Sequence, residues 1–306
     1  MEQTITAGEA KIPVIGLGTA SLCDKNPVAD VTGIVRHAIS LGITHIDTAE
    51  GYSAGLAEEA IGEAIKSQDR KKIFITTKVG RDHLNYNDVI AAAKNSLRRL
   101  KTNYIDLYLV HAPNPKIPLK ETMRAMDFLV EQKLVRFIGV SNFSVDLLNE
   151  AQSHTKNKIV ANQVEYNLLW RGAEKGLLQH CQKNGIILIA YTPLARGLLA
   201  KPGFNQNLDH LAEKYGKTQA QIALNWLLSH KNVVVIPQTA KAERLAENLG
   251  ALGWQIADSD AGLLDKKFTF EKFQLHLSKL IRMIRKRYKR TLMQIKSVSA
   301  GVAQNG

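Results

Sequence analysis

IFITTKVGRDHLNYNDVIAAAKNSLRRLKTNYIDLYLVH, residues 73–111, decides the fold. Its ends, IFITTKV (73–79) and IDLYLVH (105–111), are mostly continuous apolar or β-branched runs. Strands buried on both faces read that way, and they belong to parallel sheets. Between them Asp88–Leu100 is an amphipathic run, with Asn87 and Asp88 as N-cap or first-turn residues. The segment reads as strand, helix, strand. It leaves Lys78 and His111 at the C-terminal ends of the two strands.

The same alternation extends in both directions. Upstream lie VIGLG (14–18) and THID (44–47). Downstream come RFIGVSN (136–142), VANQVEY (160–166), IILIAYT (186–192) and NVVVIPQT (232–239). Helix candidates fill the gaps, among them Val28–Leu41, Leu56–Lys66, Leu119–Gln132, Val145–Ser153 and Thr218–Ser229, with Ser144 and Thr218 as N-cap or first-turn residues. Eight strands alternating with helices over ~260 residues suit an α/β fold of the (β/α)8 TIM barrel type, for which about 250 residues is typical. The alternative is an open doubly wound sheet. Its dinucleotide fingerprint is incomplete, because Gly16-Leu17-Gly18 is followed by Ser21 at the third glycine position. ITAGEAKIP (5–13), ahead of the first barrel strand, reads as an N-terminal β-hairpin turning at Gly8 and plugging the barrel bottom.

Composition narrows the function. Forty-one Lys and Arg against 28 Asp and Glu give a net charge of +13. Eleven basic and two acidic residues fall in 265–306, so that end carries +9 and residues 1–264 only +4. The expected organisation is a barrel over 1–264 and a basic C-terminal helical extension over 265–306. Within the extension, Phe273, Leu277, Leu280, Ile281, Ile284 and Tyr288 fall inside a ~100° helical arc with most cations opposite. This predicts a basic amphipathic helix over 270–290. It either packs on the barrel or meets an anionic membrane surface or a protein partner. Nucleic acid is disfavoured, since no base-reading motif accompanies the charge. No stretch reaches ~18 consecutive apolar residues, so no spanning helix is expected. MEQTITAGEAKIPVIG lacks the pattern of a secretory signal. Cys23 and Cys181 stand far apart and match no metal-ligand spacing, so neither a metal nor a disulfide scaffold is expected. A cytoplasmic location fits both observations.

Chemistry in a barrel gathers at the C-terminal ends of its strands. Asp47, Lys78 and His111 end strands there, and Tyr52 follows five residues after Asp47. Singly, each has an ordinary structural explanation. Together the competing reading is an inert buried polar cluster. A buried Lys78 needs a partner, and Asp47 on the adjacent strand is the natural one.

At these residues the chain resembles the aldo-keto reductase superfamily. IDTAEGYSAGLAEEAIGEAI (46–65) is similar to its D-T-A-x-x-Y-x-x-E-x-x-x-G stretch, read with one extra residue before the Glu. LVHAPNP, GVSNF, NQVEYNLL, AYTPLARGLL and VIPQT…ERLAENL resemble its later motifs in order, from about Ile12 to Leu252 overall. The resemblance implies a (β/α)8 barrel that reduces an aldehyde or ketone by hydride transfer from NAD(P)H. A cofactor-binding regulatory module acting through its tail is the alternative. By position, Asp47, Tyr52, Lys78 and His111 match the catalytic tetrad. Tyr52 is expected as the acid, its pKa lowered by Lys78, with Asp47 holding Lys78 and His111 orienting the carbonyl.

The same resemblance implies the cofactor contacts. Ser141, Asn142 and Gln163 match the carboxamide binders, and Tyr191 the aromatic under the nicotinamide. Leu194 and Arg196 match the pyrophosphate region. Gln238, Thr239, Arg244, Glu247 and Asn248 match the adenosine end. Gln238 stands where many NADPH-preferring members carry Lys. Arg244 nevertheless suits a phosphate, so NADPH is favoured over NADH or dual use. Ala20 and Ala112 replace pocket tryptophans common in the family, which opens the substrate pocket, and Trp170 is expected to supply a wall.

Overall fold

The computed structural model describes residues 3–267. Two short strands, β1 (Thr4–Ala7) and β2 (Ala10–Pro13), form the expected antiparallel hairpin. Gly8 turns it with φ +60, a left-handed conformation that glycine adopts without a Cβ penalty. Eight parallel strands follow: β3 (Gly16–Gly18), β4 (His45–Asp47), β5 (Phe74–Val79), β6 (Ile105–Val110), β7 (Val135–Ser141), β8 (Ile159–Glu165), β9 (Ile187–Tyr191) and β10 (Val233–Val235). Each pairs with the next in sequence order.

The ring closes between its first and last strands. Ile15 bridges Val235 in parallel, Val235 donates its N–H to the Val14 carbonyl at 2.9 Å, and Gly18 donates to the Pro237 carbonyl at 3.1 Å. Gly16-Leu17-Gly18 therefore serves packing. A Cβ on Gly18 would stand 2.9 Å from the Ile236 carbonyl oxygen, and one on Gly16 would stand 2.9 Å from the His45 ring. β3 and β10 are shorter than VIGLG and NVVVIPQT suggested, because the seam pairs through single bonds and Pro237 lacks an N–H.

Alternate strand residues face opposite ways. Leu107, Leu109, Ile187, Ile189 and Val234 fill the barrel interior, joined by Ala7, Ala10 and Ile12, so the hairpin seals the bottom. Tyr108, Val110, Leu188, Ala190, Val233 and Val235 pack outward with the helices in a separate, larger core. Inside the barrel Gly139 leaves no room for a side chain. An added Cβ would stand 2.6 Å from Leu109 Cδ2 and 2.8 Å from the Ala161 carbonyl.

The helical layer comprises α1 (Val28–Ser40), α2 (Leu56–Ile65), α3 (Tyr86–Leu100), α4 (Leu119–Glu131), α5 (Val145–Ser153), α6 (Leu177–Lys183), α7 (Gln206–Tyr215), α8 (Gln219–Leu228), α9 (Ala242–Leu249) and α10 (Asp258–Lys267). Ser144 caps α5, and Thr218 forms a capping box with Gln221 on α8. α3 starts earlier than Asp88. Asn85 occupies its N-cap and donates to Asp88 at 2.9 Å, which leaves Asn87 and Asp88 in the first turn.

The boundary drawn after Leu264 falls inside α10. Leu264 is buried, and Asp265 pairs with Arg171 at 2.8 Å. The helix expected over 270–290 lies outside the described residues. Among the described residues, no helix is long and apolar enough to cross a membrane, and no group of three His, Cys, Asp or Glu is placed to hold a metal.

Candidate active site

Parallel register carries the reactive side chains to one rim. Gly18 pairs with Asp47, Asp47 with Thr76, Lys78 with Leu109, and Ser141 with Gln163. The chain beyond each strand keeps the register a little further. Thr48 N–H donates to the Thr76 carbonyl at 2.8 Å, and His111 N–H donates to the Val79 carbonyl at 3.1 Å. Asp47, Tyr52, Lys78 and His111 meet at the C-terminal mouth of the barrel.

Lys78 is the centre of the cluster and has no exposed surface. Its ammonium donates to Asp47 Oδ1 and the Thr48 carbonyl, both at 2.6 Å, and to the Tyr52 hydroxyl at 3.3 Å. All three donors of the buried cation are thereby engaged. The other Asp47 oxygen accepts from Gln163 Nε2 at 2.7 Å. The Tyr52 and His111 rings meet edge to face, 5.6 Å apart at 82°.

Burial sets the proton affinities, and charges adjust them. Burial would lower the Lys78 pKa, but Asp47 and Tyr52 more than compensate and hold it above its ordinary value. His111 is pushed down to about 4, by burial first and by Lys78 second, so its ring is neutral near pH 7. Tyr52 departs from the sequence expectation. Burial raises its phenol, and the opposing pull of Lys78 does not overcome that. Spacing along a chain shows the charged neighbour but not the low-dielectric surroundings.

A cleft of about 720 Å³ runs from this cluster across the mouth. Ser141, Asn142, Gln163, Tyr191, Leu194, Arg196, Gln238, Thr239, Arg244, Glu247 and Asn248 all line it, with Asp47, Tyr52, His111 and Ala20. Hydrogen bonds set the first of these. Asn142, left-handed at φ 64, donates to the His111 carbonyl and to Ser141 Oγ, both at 3.0 Å. Ser141 Oγ donates to the Gln163 carbonyl at 2.9 Å, and the Tyr191 hydroxyl to Asn142 Oδ1 at 3.1 Å. Lys78 lies beneath the wall. Ala112 and Trp170, expected in the substrate pocket, do not line this cleft.

The lining suits a dinucleotide. It has amide side chains at one end, a tyrosine beside them, and the cations Arg196 and Arg244 further along. Thr192 Oγ1, on the same wall, is buried with no hydrogen-bond partner among the described residues, a polar atom that a ligand would satisfy. Thr192, Ser21 and Lys25, to which no motif in the sequence assigns a role, also line the cleft. Ser21 Oγ accepts from Gln238 Nε2 at 2.8 Å, a contact between residues 217 apart in the chain. No local signal marks such a pairing.

Residues 14–268 match the family model described as the Aldo/keto reductase family. The methylglyoxal reductase YeaE of Escherichia coli is 34% identical over 270 residues, covering 87% of this chain and 94% of that protein. The glyoxal reductase of Bacillus subtilis is 37% identical over 257 residues, covering 83% and 88%. An aldo/keto reductase of Klebsiella pneumoniae, solved in complex with NADP and acetate, superposes with a TM-score of 0.81 at 34% identity, covering 88% of this chain and 96% of that one.

Proposed function

The chain belongs to the aldo/keto reductase family and reduces carbonyl groups with NAD(P)H; on that premise we propose that Tyr52 is its proton donor and NADPH its preferred cofactor. The observation that carries the reading is the buried Lys78 ammonium, held between Asp47 and the Tyr52 hydroxyl. Reductase names on relatives at 34 and 37% identity favour turnover over a purely regulatory role.

When bound, the reduced nicotinamide supplies the hydride that reaches the carbonyl carbon. The protein's own residues handle the oxygen, where negative charge develops. His111, neutral at pH 7, orients the carbonyl through a ring N–H. Tyr52 gives its phenolic proton to the oxygen. Burial keeps that phenol protonated until it is needed, and the Lys78 ammonium at 3.3 Å stabilises the tyrosinate left behind. Asp47 keeps Lys78 charged and in place.

Ser141, Asn142 and Gln163 would hold the carboxamide, Tyr191 would stack on the ring, and Leu194 and Arg196 would flank the pyrophosphate. Arg244 would meet a 2′-phosphate, with Gln238, Thr239, Glu247 and Asn248 around the adenosine. Small aldehydes, methylglyoxal among them, form the first substrate panel, since Ala20 narrows the cleft less than an aromatic would. We place the enzyme in the cytoplasm, where Cys23 and Cys181 stay reduced, and treat the basic segment after α10, not after Leu264, as appended to the barrel. Absorbance of the reduced nicotinamide, followed with NADPH and NADH over a carbonyl panel, tests the reading. Tyr52→Phe should abolish turnover while leaving cofactor binding intact. Full turnover by that variant defeats the assignment.

A further inference from the structure

Ser53, Ala54 and Gly55 follow Tyr52, and Glu58 stands six residues after it where the family pattern has three, so three residues and not one are added before the Glu. All three are left-handed, at φ 49, 55 and 94. Glycine accepts this region freely, whereas serine and alanine are strained in it. Such strain persists only where the surroundings over-determine the conformation.

The surroundings do so on both flanks. Before the turn, Tyr52 N–H donates to the Ala49 carbonyl at 3.0 Å. After it, Glu58 bolts the start of α2 to β5 and α3. Its carboxylate is fully buried and accepts from Thr77 Oγ1 at 2.6 Å and from Arg99 Nε at 2.7 Å. Gly55 lies under Arg99, whose Cδ would stand 2.8 Å from an added Cβ. Between these anchors, Ser53 Oγ donates to Asp24 Oδ1 at 2.5 Å. Asp24 lies in the β3–α1 loop, itself knit by bonds from Lys25 N, Asn26 N and Asn26 Nδ2 to the Leu22 carbonyl. Leu22 is buried, so the tether has a fixed end.

We propose that Ser53 and Asp24 are positioning residues for Tyr52: their hydrogen bond holds the left-handed turn in the one arrangement that aims the phenol at Lys78 and the cleft. The proposal rests on Tyr52 being the proton donor. The β3–α1 loop also contributes Ala20, Ser21 and Lys25 to the cleft wall, so one loop both lines the cofactor site and braces the acid.

The test is steady-state kinetics on Ser53→Ala, Asp24→Ala and the double variant, with cofactor affinity and melting temperature measured alongside. A catalytic group misplaced by about 1 Å can cost ~100-fold in rate, and a loosened turn should cost about tenfold in kcat. KM for the carbonyl and Kd for the cofactor should stay within about twofold, as expected when the loss is confined to the transition state. The double variant should be no worse than either single, as expected for partners in one contact. Ser53→Asn should restore kcat, because Asn tolerates the left-handed region and offers an N–H to Asp24. Wild-type kcat in both singles, losses that multiply in the double, or a loss seen only in melting temperature would each overturn the proposal. Tyr52→Phe runs in parallel. If it is inactive while Ser53→Ala is not impaired, only the positioning role falls. If it turns over normally, the acid reading falls and takes this role with it.

Discussion

Replacing Lys78 by Met removes the one cation in a buried cluster while keeping most of its volume. Asp47, 2% exposed, would lose its 2.6 Å ion pair and keep only the Gln163 amide as a side-chain donor. The Thr48 carbonyl would lose its 2.6 Å donor, and the Tyr52 hydroxyl its neighbour at 3.3 Å. Breaking a buried pair by deleting one partner costs about 3–5 kcal/mol, because the surviving charge has nothing to offset its desolvation. For a domain of this size that corresponds to a melting point lower by roughly 10 °C. The carboxylate can escape part of the cost by taking a proton, so the deficit should shrink as pH falls. Adding Asp47→Asn should recover most of the loss, since a neutral amide needs no counter-charge. Urea unfolding of wild type, Lys78→Met and the double variant, at pH 5 and pH 8, measures all of this. Turnover should be lost in both variants whatever their stability. A single variant within about 1 kcal/mol of wild type, or a double variant no more stable than the single, would refute the reasoning.

Three further outcomes are expected. Arg244→Ala should raise KM for NADPH by about tenfold and change KM for NADH little, because a charge-assisted bond to a phosphate contributes about 1.5–3 kcal/mol; equal effects on the two cofactors would remove Arg244 from the 2′ position. Gly139→Ala should destabilise the barrel by about 1–3 kcal/mol through overpacking against Leu109 and the Ala161 carbonyl, visible as a lower urea midpoint with an unchanged m value. Buried His45 is held down to about 4, against 6.5 unperturbed, by its burial. The unfolded chain binds the extra proton between those values, so stability rises with pH across that window, and His45→Gln should remove roughly 2 kcal/mol of the difference between pH 7 and pH 5. His111 shares the same direction, so the slope should flatten in that variant without vanishing.

The architecture was legible in the amino-acid order because its signals are local. Continuous apolar runs such as IDLYLVH can be buried only on both faces, and helices between them force parallel pairing. Gly8, Ser144 and Thr218 marked a turn and two caps by their own backbone and hydroxyl chemistry. Three of the four residues proposed for the tetrad were legible for a related reason, and Tyr52 came with the family resemblance. Parallel register places every strand's C-terminal end at one rim, so Asp47, Lys78 and His111 were neighbours as soon as the strands were found. Helix ends were less certain, as at Asn85, where several polar residues in succession are each able to cap.

What the chain order alone could not decide were matters of distance and dielectric. Closure at Ile15 and Val235, the steric reason for Gly18, and the Ser21–Gln238 contact depend on residues more than two hundred positions apart. The direction of the Tyr52 shift depends on how much protein surrounds the phenol, and that outweighed the lysine the motif had advertised. Which loop residues face the cleft also depends on tertiary packing: Thr192 and Ser21 line it, and Ala112 and Trp170 are not among its lining. The sequence by itself determined which side chains share the barrel mouth, since period and register are local properties. Only the tertiary structure decided how they are charged, what braces them and which walls enclose them, because burial and closure are properties of the whole ring.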